Sequence, residues 1–262
     1  MRKKVHFRYW LSFIILIVLL LVFIFWNINS GSISISLNDI FQILFHKNGD
    51  ETAYNIVWEI RLPRILAAVI LGGALSVSGF LLQTFFGNPI AGPFVLGISS
   101  GAKLIVALTM IYLLGKSMVA TSGLMILAAF TGSLISMGFV LLISRKVKQM
   151  SMLVVSGIMI GYICSAITDF VVTFADDSNI VNLHNWSLGS FSGTSWDNVS
   201  VMAVVVFAAL FLTFLMSKPI SAYQLGEGYA QNMGVNIKAF RIALILLSSI
   251  LSACVTAFAG PI

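Results

Sequence analysis

The sequence predicts an all-α protein, a polytopic membrane helix bundle, on three observations. Of 262 residues, 59% are hydrophobic and only 9% charged, where soluble domains carry about 25% charged residues. The apolar residues gather into seven runs, each near the roughly 20 residues that cross a hydrocarbon core. The charges collect between the runs, with Lys and Arg concentrated in alternate loops. This composition excludes an ordinary cytosolic enzyme, a disordered chain and a nucleic-acid-binding protein.

The first run, Trp10–Trp26, follows a basic start and ends in Phe25 and Trp26 with no small-x-small cleavage site. It therefore reads as a retained span, not a cleaved signal peptide. The others are Ile65–Phe86, Phe94–Leu114, Met118–Ser144, Met152–Phe174, Val199–Ser217 and Ala239–Ile262. With the N-terminus cytoplasmic, the inner segments hold Arg2, Lys3, Lys4, Arg8, Arg145, Lys146, Lys148, Lys218, Lys238 and Arg241. The outer ones hold only Lys47, Arg61, Arg64 and Lys116, so the positive-inside rule selects this orientation. Small residues recur four apart at Gly97/Gly101, Gly132/Ser136 and Gly157/Gly161/Ser165. In lipid this spacing lets helix backbones approach closely, and the smooth face of the fifth span also suits a conduit.

Three connecting segments carry more than a link requires. The outer segment 27–60 alternates over Ser32–Leu37 and continues into an Asn38-capped apolar patch ending at Phe45, which predicts a short interfacial helix. The outer segment 175–198 places Gly189 and Gly193 between Trp186 and Trp196, suiting a short surface helix anchored by its aromatics. The inner segment 218–238 reads KPISAYQLGEGYAQNMGVNIK. Pro219 is expected to break the sixth span there, and Gly226, Gly228 and Gly234 to punctuate a short helical stretch. It exceeds the roughly 2–8 residues of a passive helix connection, so it reads as a docking element.

After the second span, Gly87–Pro93 (GNPIAGP) puts irregular backbone at the inner boundary, tolerated only if buried or lining a cavity. TFFGNPI (Thr84–Ile90) resembles TAFAGPI (Thr256–Ile262), and an odd number of spans separates them. The copies then run in opposite directions, the pattern of an inverted internal repeat.

Catalytic chemistry is absent from the motifs. There is no GxxxxGK(S/T) phosphate loop, so ATP use falls to another chain. His6, His46 and His184 lack metal-ligand spacing, Cys164 and Cys254 sit singly in apolar runs, and no GxSxG elbow exists. Lys103, near the inner end of the third span, is placed to snorkel. Asp169, near the outer end of the fifth, is either interface-solvated or a functional intramembrane acid. Arg61 and Arg64 in EIRLPR stand on the side where cations are disfavoured, with a turn expected at Leu62-Pro63. They pair with Glu59 or headgroups, or form a cationic platform for an acidic partner, which arginine suits by binding carboxylates bidentately.

Five segments in order resemble one family: the permease subunits of ATP-driven (ABC) importers for iron-siderophores, haem and cobalamin, the FecCD type. They are RLPRILAAVILGGALSVSGFLLQTFFGNPIAGPFVLGISSGA (Arg61–Ala102), VSGIMIGYICSA (Val155–Ala166), WSLGSFSG (Trp186–Gly193), LGEGYAQNMGVN (Leu225–Asn236) and the closing AFAGPI. The resemblance implies a single permease domain over residues 1–262, with seven of an expected ten transmembrane helices and a C-terminal truncation. It implies a multi-pass protein of the bacterial plasma membrane that pairs with a second permease subunit. Two cytoplasmic ATPase subunits would consume the ATP, this chain binding no cofactor or metal, and an extracytoplasmic binding protein would deliver the cargo.

The resemblance also assigns residues. Arg61 and Arg64 would dock the binding protein. Ser221, Leu225, Gly226, Glu227, Ala230, Met233 and Gly234 would belong to the coupling helix seated in the ATPase. Gly157, Gly161, Ser165 and Asp169 would line the path, and Asn88, Pro89 and Ile90 would sit near its inner gate. The rival readings are a stand-alone ion-coupled carrier using Asp169 and a non-transporting membrane scaffold.

Overall fold

A computed structural model describes residues 2–31, 33, 35, 40–43, 51–114, 121–144 and 150–261. The described residues form helices and connecting turns, without strands. They are α1 (Arg2–Asn29), α2 (Glu51–Asn55), a π-helical turn (Ile56–Arg61), α3 (Leu62–Phe86) and a 3-10 turn (Pro93–Leu96). Then follow α4 (Ile98–Leu114), α5 (Ser122–Ser144), α6 (Met150–Val172) and α7 (Asp177–Ser187), and finally α8 (Trp196–Leu215), α9 (Ser217–Gln224), α10 (Glu227–Asn232) and α11 (Ile237–Ala259). Among the described residues, six stretches are long and apolar enough to cross a membrane: Phe7–Asn29, Glu51–Phe86, Ser122–Ile143, Met152–Val172, Trp196–Leu215 and Ile237–Ala259. The seventh expected span is the shorter apolar stretch Ile98–Tyr112. Pro93 and Gly97, at φ +67°, hold its first residues out of the α-helix.

The expected turn at Leu62-Pro63 is not there. The chain runs helically from Glu51 to Phe86: Pro63 has no N–H to return to the preceding turn, that turn is widened to a π turn, and the Trp58 carbonyl takes the Trp196 indole N–H instead. The π turn before it ends with the Leu62 N–H on the Val57 carbonyl. Of the expected interfacial helix, residues 40–43 are helical; Asn38 and Phe45 lie outside the described residues, as do Lys47, Lys116, Arg145, Lys146, Lys148 and Ile262. The surface helix expected in 175–198 is α7. Pro219 lies in the first turn of α9, and the chain turns instead at Met216.

The chain forms two compact units, Met1–Ala68 with Ser192–Val199, and Val69–Phe191 with Ser200–Ile262. In the first, Ile28, Ile35, Ile40, Ile43, Val57 and Ile65 form the apolar cluster. Trp58 stacks between Tyr54 and Trp196, with ring centroids at 6.1 and 5.8 Å, and its carbonyl accepts the Trp196 indole N–H at 3.0 Å.

In the second, α4 packs on α5 and α6, and α11 on α5. The core joins Ala102, Val106, Ala107 and Met110 of α4 to Met125, Ala128 and Ala129 of α5, with Leu183 and Ala257 at its edge. Small residues set the spacing: a Cβ on Gly101 would come within 2.7 Å of the Gly132 carbonyl oxygen. Between α3 and α11, Ser78 Oγ lies 2.8 Å from Ser248 Oγ and 2.6 Å from Ser252 Oγ, all three residues buried. Such hydroxyl contacts replace the hydrophobic drive that lipid removes.

The two helices run antiparallel. The last turn of α3 meets Gln224, whose Nε2 donates to Thr84 Oγ1 at 3.3 Å, and α11 starts near that place, with Arg241 on Glu227. The far end of α11 abuts the Trp186–Ser190 segment, where the Ser190 N–H donates to the Ala259 carbonyl at 2.9 Å. Both helices end at a glycine with positive φ, Gly87 at +59° and Gly260 at +97°. Antiparallel copies are what an inverted repeat requires.

Candidate functional site

The α9–α10 segment and the end of α3 build one site. After Phe86, Gly87 donates to the Thr84 carbonyl and Asn88 to the Gln83 carbonyl at 3.2 Å, the paired bonds that close a helix on a left-handed glycine. The Asn88 side chain then accepts the Ile90 N–H at 2.9 Å, making an Asx turn that leaves Ile90 81% exposed. Opposite this turn stand Tyr223, Gln224, Glu227 and Arg241, and a cleft of about 460 Å³ separates the two sides. Asn88 and Pro89 thus share a cleft with Glu227.

Glycines articulate α10 at both ends. Gly226 precedes it at φ +125° and Gly234 follows at +85°, conformations that L side chains rarely adopt. The Gly234 N–H donates to the Gln231 carbonyl and the Val235 N–H to the Ala230 carbonyl, both at 3.0 Å, repeating the closure seen after α3. Ala230 is buried beneath the helix. Leu225 just before α10, Tyr229 within it and Met233 just after it stand 72%, 49% and 65% exposed. Ser221 is also exposed and bonds back to the Ser217 carbonyl at 3.0 Å.

Four side-chain contacts hold this segment. Arg241 Nη2 donates to Glu227 Oε2 at 2.6 Å, its Nε lies 3.4 Å from the Tyr223 hydroxyl, and the Tyr223 ring rests on Phe240 at 5.1 Å. The fourth is Gln224 on Thr84. Among the described residues, Arg241–Glu227 is the one ion pair. Sequence reasoning counted Arg241 only as an inner cation. The available signal was Glu227, the lone acid of its loop, which needed a nearby counter-charge.

The arginines of RLPR part company. Arg61 is buried, donating to the Ile28 carbonyl and, at 2.7 Å, to the Ile33 carbonyl. Gly31 lies against its guanidinium, where any Cβ would collide. Arg64 is half-buried and donates to the Ser192 carbonyl at 2.7 Å. The fifth-span residues divide too. Gly157 and Gly161 pack against Gly97, Ser165 is half-buried beside them on α6, and Asp169 is exposed, with no ion pair among the described residues. Gly189 and Gly260 meet backbone to backbone, the Gly260 Cβ position lying 2.7 Å from the Gly189 Cα.

A profile of the FecCD transport family matches residues 19–262. The hemin transport system permease protein HmuU of Yersinia pestis is 32% identical over 263 residues, covering 100% of this chain and 77% of that protein. The vitamin B12 import system permease protein BtuC of Klebsiella pneumoniae is 35% identical over 207 residues, covering 79% of this chain and 61% of its own. The chain thus spans about three quarters of the first relative and about three fifths of the second. A solved structure described as an inward-facing conformation of a metal-chelate type ABC transporter shares the fold at a TM-score of 0.81 and 24% identity. That match covers 94% of this chain and 75% of the other. These residues, their order and their fold assign the chain: it belongs to the FecCD transport family.

Proposed function

We propose that this chain is the permease subunit of an ATP-binding-cassette importer for a chelated metal compound. It pairs with a second permease, takes energy from two cytoplasmic ATPase subunits seated on α9–α10, and receives cargo from an extracytoplasmic binding protein. The observation that carries the reading is the exposure of Leu225, Tyr229 and Met233 in and around α10. Apolar side chains grouped on a water-facing element mark a protein interface, and the positive-inside rule puts this one in the cytoplasm. The chain carries no phosphate loop, so hydrolysis belongs to the partner and this subunit is a transport component, not an enzyme.

The mechanism is alternating access. Closure of the ATPase dimer moves α10, and the paired permeases change the side to which the path opens. ATP shifts that equilibrium only through contacts that differ between the two states. Ile90, exposed on a turn that shares a cleft with the coupling segment, is placed to move with it. On the outer surface Arg64 is the cation offered to a carboxylate of the binding protein, while Arg61 shapes the ground beneath. The relatives named for hemin and vitamin B12 favour a metal tetrapyrrole or corrin over a ferric siderophore as cargo.

Deleting Leu225–Gly234 tests the reading. The expected result is a chain that still inserts in the membrane and no longer co-purifies with its ATPase; retained ATPase refutes the docking role.

A further inference from the structure

We infer that Arg241 is a positioning residue: through Glu227 it sets the tilt of α10 and ties that helix to the transmembrane helix α11. The inference rests on the proposed docking role of α9–α10 and adds how the motion leaves that segment.

A cleft lies between α9–α10 and the Gly87–Pro89 turn. Among the described residues, the side-chain hydrogen bond that crosses to α3 is the neutral Gln224–Thr84. On the side of α11 the join is charged and short: the Arg241 fork reaches Glu227 at 2.6 Å and faces the Tyr223 hydroxyl at 3.4 Å, beside the Tyr223–Phe240 ring contact. Glu227 opens α10, directly after the Gly226 hinge, so its carboxylate controls the angle at which the helix leaves α9. Arg241 lies in the second turn of α11, a helix largely enclosed by its neighbours from Leu244 to Ala257. A push on α10 therefore reaches the buried interior through this pair, and the Ser78–Ser248–Ser252 contacts carry it on to α3.

The partners are 30% and 47% exposed, and pairs this open contribute little to folding stability. Breaking this one is therefore expected to alter geometry and leave the fold intact. Glu227 is held by Arg241, and the ATPase surface is assigned to Leu225, Tyr229 and Met233.

The test uses the full complex of this chain, its ATPase and its binding protein, reconstituted in lipid nanodiscs, with Arg241→Glu, Arg241→Lys and the exchange Arg241→Glu/Glu227→Arg. Two readouts are taken: ATPase co-purification, and the fold stimulation of ATP hydrolysis by saturating binding protein. Arg241→Glu is expected to keep its ATPase and lose the stimulation. Arg241→Lys keeps part of it, and the exchange restores it. Full stimulation in Arg241→Glu, or an exchange that restores nothing, overturns the inference. Loss of ATPase from Arg241→Glu alone overturns it too, by making the pair part of the docking surface. A chain substituted at Leu225, Tyr229 and Met233 that keeps its ATPase defeats the underlying docking reading instead.

Discussion

Gly97 meets Gly161 with no side chain between them: a Cβ built on Gly97 would stand 2.9 Å from the Gly161 nitrogen and 3.0 Å from the Gly157 carbonyl oxygen. Gly97 also holds φ +67°. The relationship is asymmetric, since a Cβ on Gly161 comes no closer than 3.5 Å to Gly97. Gly97→Ala is therefore expected to cost about 2–4 kcal/mol, combining a left-handed residue with overpacking. Gly161→Ala is expected to be nearly neutral. Thermal unfolding of the two variants in the same detergent checks the difference, and equal losses contradict it.

Arg61 is held by the Ile28 and Ile33 carbonyls over Gly31. Arg61→Met leaves both carbonyls without their donor, at an expected cost of about 1–3 kcal/mol. Gly31→Ala is expected to destabilise as well, by displacing the same guanidinium. If Arg61 docked a partner directly, its loss would weaken binding-protein capture in a salt-dependent way. The expected pattern is salt dependence at Arg64→Glu only, measured by capture at low and high ionic strength.

The serine contacts between α3 and α11 make a third test. Ser78→Ala removes the hydroxyl that meets Ser248 and Ser252, and hydroxyl bonds between membrane helices contribute about 0.6 kcal/mol on average, up to about 1.7. A loss in that range is expected by unfolding in mixed micelles. Ser78→Leu, at a fully buried position, is expected to cost more through overpacking.

Leu225→Ser, Tyr229→Ser and Met233→Ser together remove the exposed apolar groups and leave Ala230, Gly226 and Gly234 in place. The triple variant is expected to fold like the parent and lose at least about tenfold in ATPase affinity, since buried apolar anchors carry most interface energy. Titration of the purified ATPase onto the variant in nanodiscs measures it.

Much of this architecture was legible because lipid imposes simple rules. Span length and charge asymmetry follow from the thickness of the hydrocarbon and the cost of a charge within it, so the ends of α3, α5, α6, α8 and α11 fall near their expected places, while α1 begins eight residues before the expected Trp10. The GNP turn and the α10 hinges were legible because glycine and proline act locally. Pro63 misled because a proline carried inside a continuous helical run looks the same in one dimension as a proline in a turn. Arg61 was legible as an anomaly but not as a buried clasp, since its acceptors are backbone carbonyls about thirty residues away, which no side-chain pattern reveals. Gly157 and Gly161 could equally have faced a path or a helix, and only the fold brings Gly97 to them. Arg241 and Glu227 pair across a turn whose geometry depends on two glycine conformations.

The central claim is that an ATPase grips α9–α10 from the cytoplasm. Placing a photo-crosslinking amino acid at Tyr229 in cells that express the whole system tests it most directly, with mass spectrometry identifying the captured protein. The account expects an ABC-type ATPase subunit covalently joined at that position. Capture of an extracytoplasmic protein at Tyr229 would contradict it.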